Sequence, residues 1–194
     1  MKQKSRTEYS VMNTTVAFLA QTLAIFMGFF TRVVFTRTLS EGYVGINGLF
    51  TDILNILSLS ELGVGTAITY ALYAPIARRD IKKQQILMRM FRNFYRITAG
   101  FVLLAGLCLI PFLDILMKDR PDVNHLIIIY LLYLLNSVVS YLLIYKKTLV
   151  DAHQMNYITV MYHNGFLVLQ DILQMMVLFL TRNFILFLVI AVVC

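Results

Sequence analysis

The residues able to do chemistry in this chain lie inside long apolar runs, where chemistry is costly. Arg32, Asp52, Asn55, Ser58, Glu61, Asn136, Ser137, Ser140, His163, Gln170, Asp171 and Gln174 all interrupt stretches rich in Leu, Ile, Val, Phe and Met. A charge in hydrocarbon costs roughly 3 kcal/mol or more unless it meets a cavity or a partner, so such residues mark places where something polar is received. The chemistry they offer is recognition: a cation for an anionic group, carboxylates to balance it, amides and hydroxyls for hydrogen bonding.

Spacing sharpens this. Ala20, Ala24, Gly28 and Arg32 recur every four residues, a small-residue stripe that packs helices closely and would carry Arg32 into a bundle as a cavity-lining cation or one half of an ion pair. Asp52 and Glu61 are nine residues apart, about half a turn out of phase on a straight helix, so they are no catalytic carboxylate pair. Asp52 lies at a depth similar to that of Arg32 and is its first expected partner, with Asp171 second. Asn55 shares the most polar segment with Asp52 and Glu61. His163, Gln170 and Gln174 fall on one helical stripe, where His163 serves either packing or a proton relay.

Other chemistries find no footing. No HExxH, GxSxG, P-loop or Gly-rich dinucleotide turn occurs, which disfavours an enzyme. Cys108 and Cys194 stand alone, with no CxxC or Cys/His spacing, so no metal, disulfide or cofactor is expected. The net charge of +7 would suggest nucleic acid in a soluble protein, but its placement has a different cause.

The positioning elements follow from composition. Hydrophobic residues make up 59% and charged residues 14%, with a mean hydropathy of +0.76, far from soluble domains. The chain therefore reads as an all-α polytopic transmembrane helix bundle. Five runs can cross about 30 Å of hydrocarbon: Val11 to Leu39, Val44 to Tyr73, Ile86 to Leu113, Val123 to Leu149 and Tyr157 to Leu180. A sixth, Phe184 to Cys194, is roughly 16 Å long as a helix and incomplete as a span. Of 17 Lys and Arg residues, Lys2, Lys4, Arg6, Arg78, Arg79, Lys82, Lys83, Arg89, Arg92, Arg96, Lys146 and Lys147 fall on one side. By the positive-inside rule that side, and the N-terminus with it, is cytoplasmic. Arg89, Arg92 and Arg96 recur at helical spacing opposite Leu87, Met90, Phe91 and Phe94, a basic amphipathic segment suited to the bilayer surface.

One stretch, FFTRVVFTRTLSEGYVGINGLFTDILNILSLSELGVGTAITYALYAPIARRD, resembles the N-terminal region of bacterial polysaccharide flippases. A second, YLLIYKKTLVDAHQMNY, is similar to the end of the fourth helix and the following cytoplasmic loop of that family. The resemblance is to Wzx-type flippases of the multidrug/oligosaccharidyl-lipid/polysaccharide exporter superfamily. It implies two helical bundles that move polyprenyl-pyrophosphate-linked oligosaccharide across the bacterial cell membrane by alternating access, this chain supplying the first bundle. It places Arg32 near the outer end of helix one and Glu61 in the LSLxELG motif of helix two. The partners it implies are the lipid bilayer, the lipid-linked oligosaccharide, a C-terminal half and polysaccharide-assembly proteins. A chain holding one bundle is expected not to transport alone. The alternatives are a drug or small-molecule exporter of the same superfamily and a nontransporting membrane scaffold.

Overall fold

Apolar side chains on every face of a helix demand a solvent other than water, and the computed structural model is built almost wholly of such helices. It describes all residues except 1–5, 59–63, 114–116, 118–122, 124 and 154. In chain order the helices are α1 (Arg6–Thr38), α2 (Glu41–Ser58), α3 (Val64–Ala77), α4 (Ile81–Leu109, extended by a 3-10 turn at Ile110–Phe112), α5 (Leu126–Ala152), α6 (Asn156–Thr181) and α7 (Phe184–Val193). Four of them, α1, α4, α5 and α6, are long and apolar enough to cross a membrane. The expected second span, 44–73, corresponds to α2 and α3, with residues 59–63 between them outside the described set.

Phe18, Leu19, Leu23, Ile25, Phe26, Phe29 and Phe30 of α1 are each more than half exposed. At about 1.5 kcal/mol or more per side chain, holding these seven in water would cost ~10 kcal/mol, as much as the whole net stability of a typical domain. The protein is a multi-pass membrane protein, an all-α bundle whose outer surface is solvated by lipid.

The core gathers around α5, against which α2, α3, α4, α6 and α7 all pack. The tightest seam joins α4 to α5. Gly106 offers no side chain there, and Leu134 fills the space so closely that a Cβ on Gly106 would lie 2.9 Å from Leu134 Cδ2. Tyr130, fully buried, donates its hydroxyl to the Gly106 carbonyl at 2.8 Å. That bond satisfies the polar end of a large apolar side chain with no water available.

Helix α1 has one extensive partner, α6, and touches α2 only slightly. Near its start, Asn13 Oδ1 accepts from the Tyr157 backbone N–H at 2.8 Å, satisfying one of the orphan donors at the start of α6. Further along, Thr31 donates to Asp171 at 3.0 Å. Both contacts come in the same order on the two helices, so α1 and α6 run parallel. Parallel neighbours in a serpentine chain have an odd number of crossings between them, and α2–α3 taken together, α4 and α5 make three.

The turn from α6 into α7 is local chemistry. Arg182 adopts φ 50°, in the left-handed region that reverses a helix, and Asn183 caps α7 by accepting from Ile185 and Leu186 N–H at 2.9 and 3.4 Å. Phe184 then packs on Phe35 and Tyr43, with ring centroids 5.5 and 5.2 Å away. Buried Gln174 donates to the Phe187 carbonyl at 3.1 Å, which ties α7 back onto α6.

Candidate functional site: a polar cleft between α2 and α5

Residues at i, i+3, i+4, i+7 and i+8 share one helix face. On α5, Tyr133, Asn136, Ser137, Ser140 and Tyr141 keep this spacing, and on α2 so do Thr51, Leu54 and Asn55. The two faces meet across a cleft of about 380 Å³, with Ile144 also in its lining. Its rim at the Tyr133 end is fixed by a hydrogen bond from the Tyr133 hydroxyl to Asn47 Oδ1 and by Phe50, whose ring lies edge-on to both Tyr130 and Tyr133.

The polar groups of the cleft are partly committed and partly free. Thr51 donates to the Asn47 carbonyl and Ser140 to the Asn136 carbonyl, so each hydroxyl keeps acceptor capacity for a guest. The side chains of Asn55, Asn136 and Ser137 make no hydrogen bond among the described residues. Two amides supply both donors and acceptors, and among the described residues no charged one lines the cleft. Such a surface suits a guest rich in hydroxyl and amide groups, and it carries no nucleophile paired with a base.

Of the candidates expected from the sequence, Asn55 lines this cleft. Asp52 lies next to it on α2 and is exposed. Glu61 falls outside the described residues. Arg32 is exposed, its guanidinium carbon 5.5 Å from the centroid of Phe35. The expected ion pair differs: among the described residues neither Asp52 nor Asp171 pairs with Arg32, and Asp171 instead accepts from Thr31. The physical reason is the packing of α1. Its buried face runs through Thr31 and Phe35, about 100° from Arg32, because α1 lies along α6 and not along α2. The Ala20–Ala24–Gly28 stripe is therefore no tight seam; a Cβ on Gly28 would meet nothing within 4 Å.

The stripe of His163, Gln170 and Gln174 is graded, with His163 exposed, Gln170 intermediate and Gln174 buried. On the basic side, Arg89, Arg96, Lys146 and Lys147 are exposed, whereas Arg92 is half-buried with its Nε unpartnered among the described residues. Met90 and Phe94, expected opposite the arginines, are exposed beside them at 56% and 37%. Among the described residues no three of His, Cys, Asp and Glu gather to hold a metal ion.

Thr51, Tyr133, Asn136, Ser137, Ser140 and Tyr141 are the site residues that intramembrane charge alone does not reveal. The signal for them is the period: neutral polar residues at three- and four-residue intervals on one face of an otherwise apolar span. Comparison with known protein families, with curated proteins and with solved structures finds no match.

Proposed function

We propose that this chain forms a helical bundle of a bacterial lipid-linked oligosaccharide flippase, residing in the plasma membrane with its N-terminus in the cytoplasm. The observation that carries the reading is the neutral, amide- and hydroxyl-lined cleft between α2 and α5. A saccharide presents many hydroxyls and no strong charge, which is the guest such a lining solvates in place of water. Arg32, exposed on α1, would meet the pyrophosphate, since a guanidinium pairs bidentately with phosphate oxygens. The resemblance of the Arg32 and Glu61 regions to polysaccharide flippases supports the same assignment. The protein then works by binding and conformational change, with no bond made or broken in the cargo.

The test is equilibrium binding to the purified chain in lipid nanodiscs, comparing polyprenyl-pyrophosphate bearing an oligosaccharide with bare polyprenyl-pyrophosphate. The glycosylated lipid is expected to bind more tightly, and Asn55→Ala and Asn136→Ala are each expected to lower its affinity about fivefold, the weight of roughly one net hydrogen bond. Equal affinity for both lipids would sink the assignment of the cleft to sugar.

Orientation is checked separately. In a chain with Cys108 and Cys194 replaced, a single cysteine at Arg79 is expected to react with a membrane-impermeant maleimide only after the cells are opened, and one at Arg182 in intact cells. The reverse pattern would overturn the cytoplasmic placement of the N-terminus.

A further inference from the structure

Helix α4 with its 3-10 turn is continuous over Ile81–Phe112, 32 residues, or about 48 Å at 1.5 Å per residue. The hydrocarbon core is about 30 Å thick, so roughly twelve residues, an excess of about 18 Å, must stand outside it. Polar composition locates the excess at the N-terminal end, where Lys82, Lys83, Gln84, Gln85, Arg89, Arg92, Asn93 and Arg96 concentrate. Asp80 caps this end by accepting from the Lys83 N–H at 3.0 Å, and Gln84 anchors it to the Pro75 carbonyl of α3 at 3.2 Å. The first turns of α4 are thus capped and tied to the end of α3.

One face of this segment has no protein partner among the described residues. Lys82, Gln85, Ile86, Arg89, Met90 and Asn93, all exposed, line a groove of about 600 Å³. Their spacing of three and four residues places them on a single stripe. The same stripe continues toward the bilayer centre as Ile97, Phe101 and Leu104, which are 73%, 57% and 66% exposed. Along one line the helix therefore offers two cations and two amides at headgroup depth, followed by an apolar strip at acyl-chain depth.

We propose that this stripe is a binding site for an anionic phospholipid, its phosphate between Lys82 and Arg89 and its chains along Ile97, Phe101 and Leu104. Charge complementarity selects an anionic head, and the apolar continuation selects a lipid over a soluble phosphate. The site is separate from the α2/α5 cleft, so it stands or falls independently of the cargo proposed for that cleft.

The chain has no tryptophan, which makes Ile97→Trp a single fluorescent reporter beside the groove. In phosphatidylcholine vesicles containing an equal small fraction of brominated lipid, brominated phosphatidylglycerol is expected to quench this reporter as though enriched about fivefold over brominated phosphatidylcholine, a preference corresponding to roughly one interfacial charge. Adding Lys82→Gln and Arg89→Gln is expected to bring the preference close to one while quenching by brominated phosphatidylcholine is unchanged, which reports intact insertion. Lys146→Gln with Lys147→Gln, removing two exposed cations from α5, is expected to leave the preference in place. Equal quenching by the two lipids in the parent, or an equal loss in the α5 variant, would overturn the proposal, and so would displacement of the preference by inorganic phosphate beyond that caused by chloride of equal ionic strength.

Discussion

Gly106→Val is expected to lower the stability of the bundle by about 2–4 kcal/mol. A branched side chain at this position would occupy the space already taken by the Leu134 methyls. Overpacking of a well-filled seam costs about 1–3 kcal/mol. Separating α4 from α5 enough to relieve it would also stretch the bond from Tyr130 to the Gly106 carbonyl. A hydrogen bond between membrane helices contributes about 0.6 kcal/mol on average. The measurement is the temperature at which the detergent-solubilised protein loses its monodisperse elution profile. Leu134→Ala in the same chain is expected to restore part of the loss, because it vacates the volume the valine needs, and a double-mutant cycle isolates that coupling. Additive effects would mean that the seam is not where the valine acts.

The seam also illustrates which parts of this architecture are readable in one dimension. Apolar runs long enough for a bilayer locate the helices, since lipid obliges every spanning backbone to satisfy its own hydrogen bonds. Turn chemistry is readable for the same local reason: Asp80 and Asn183 sit where a cap is required. Partner choice is different in kind. Whether α1 lies along α2 or α6 depends on surfaces more than a hundred residues apart, and the difference moves Arg32 away from Asp52 and brings Thr31 to Asp171. Small residues at intervals of four in α1 promise close packing, yet Gly28 has open space beside it. Gly106, with no such stripe around it, makes the close approach instead.

The candidate site divides the same way. Charged residues stand out in an apolar sequence because each carries a large desolvation cost, so Arg32, Asp52 and Asp171 draw attention first. Neutral amides and hydroxyls are cheaper to place in a membrane and therefore less conspicuous. It is these, Asn55 on α2 with Asn136, Ser137 and Ser140 on α5, that the fold assembles into one cleft. Asn55 is recognisable within the polar second segment; bringing its partners on α5 to it needs the packing of α5 against α2, where Asn47 meets Tyr133 and Phe50 packs on Tyr130 and Tyr133.

Ser137→Phe follows from that geometry as the substitution with the largest expected effect on ligand binding. Ser137 lies on the α5 wall of the cleft and is only partly buried, so a larger side chain has the open volume of about 380 Å³ to enter. The bundle should accept the ring, with a change in thermal stability of less than about 1 kcal/mol, because no seam is forced apart. The guest cannot accept it. A phenyl group both occupies the space and leaves Asn55 and Asn136 facing an apolar surface, so their hydrogen bonds to a saccharide are lost together. Affinity for the glycosylated polyprenyl-pyrophosphate is expected to fall about 100-fold, equivalent to roughly 2.7 kcal/mol, while affinity for the bare polyprenyl-pyrophosphate changes little. Ser137→Ala, which removes one hydroxyl and keeps the space, is expected to cost about fivefold or less. A Ser137→Phe protein that binds both lipids as the parent does would place the sugar outside this cleft, whereas equal losses for both would mean that the ring disturbs the site of the pyrophosphate as well.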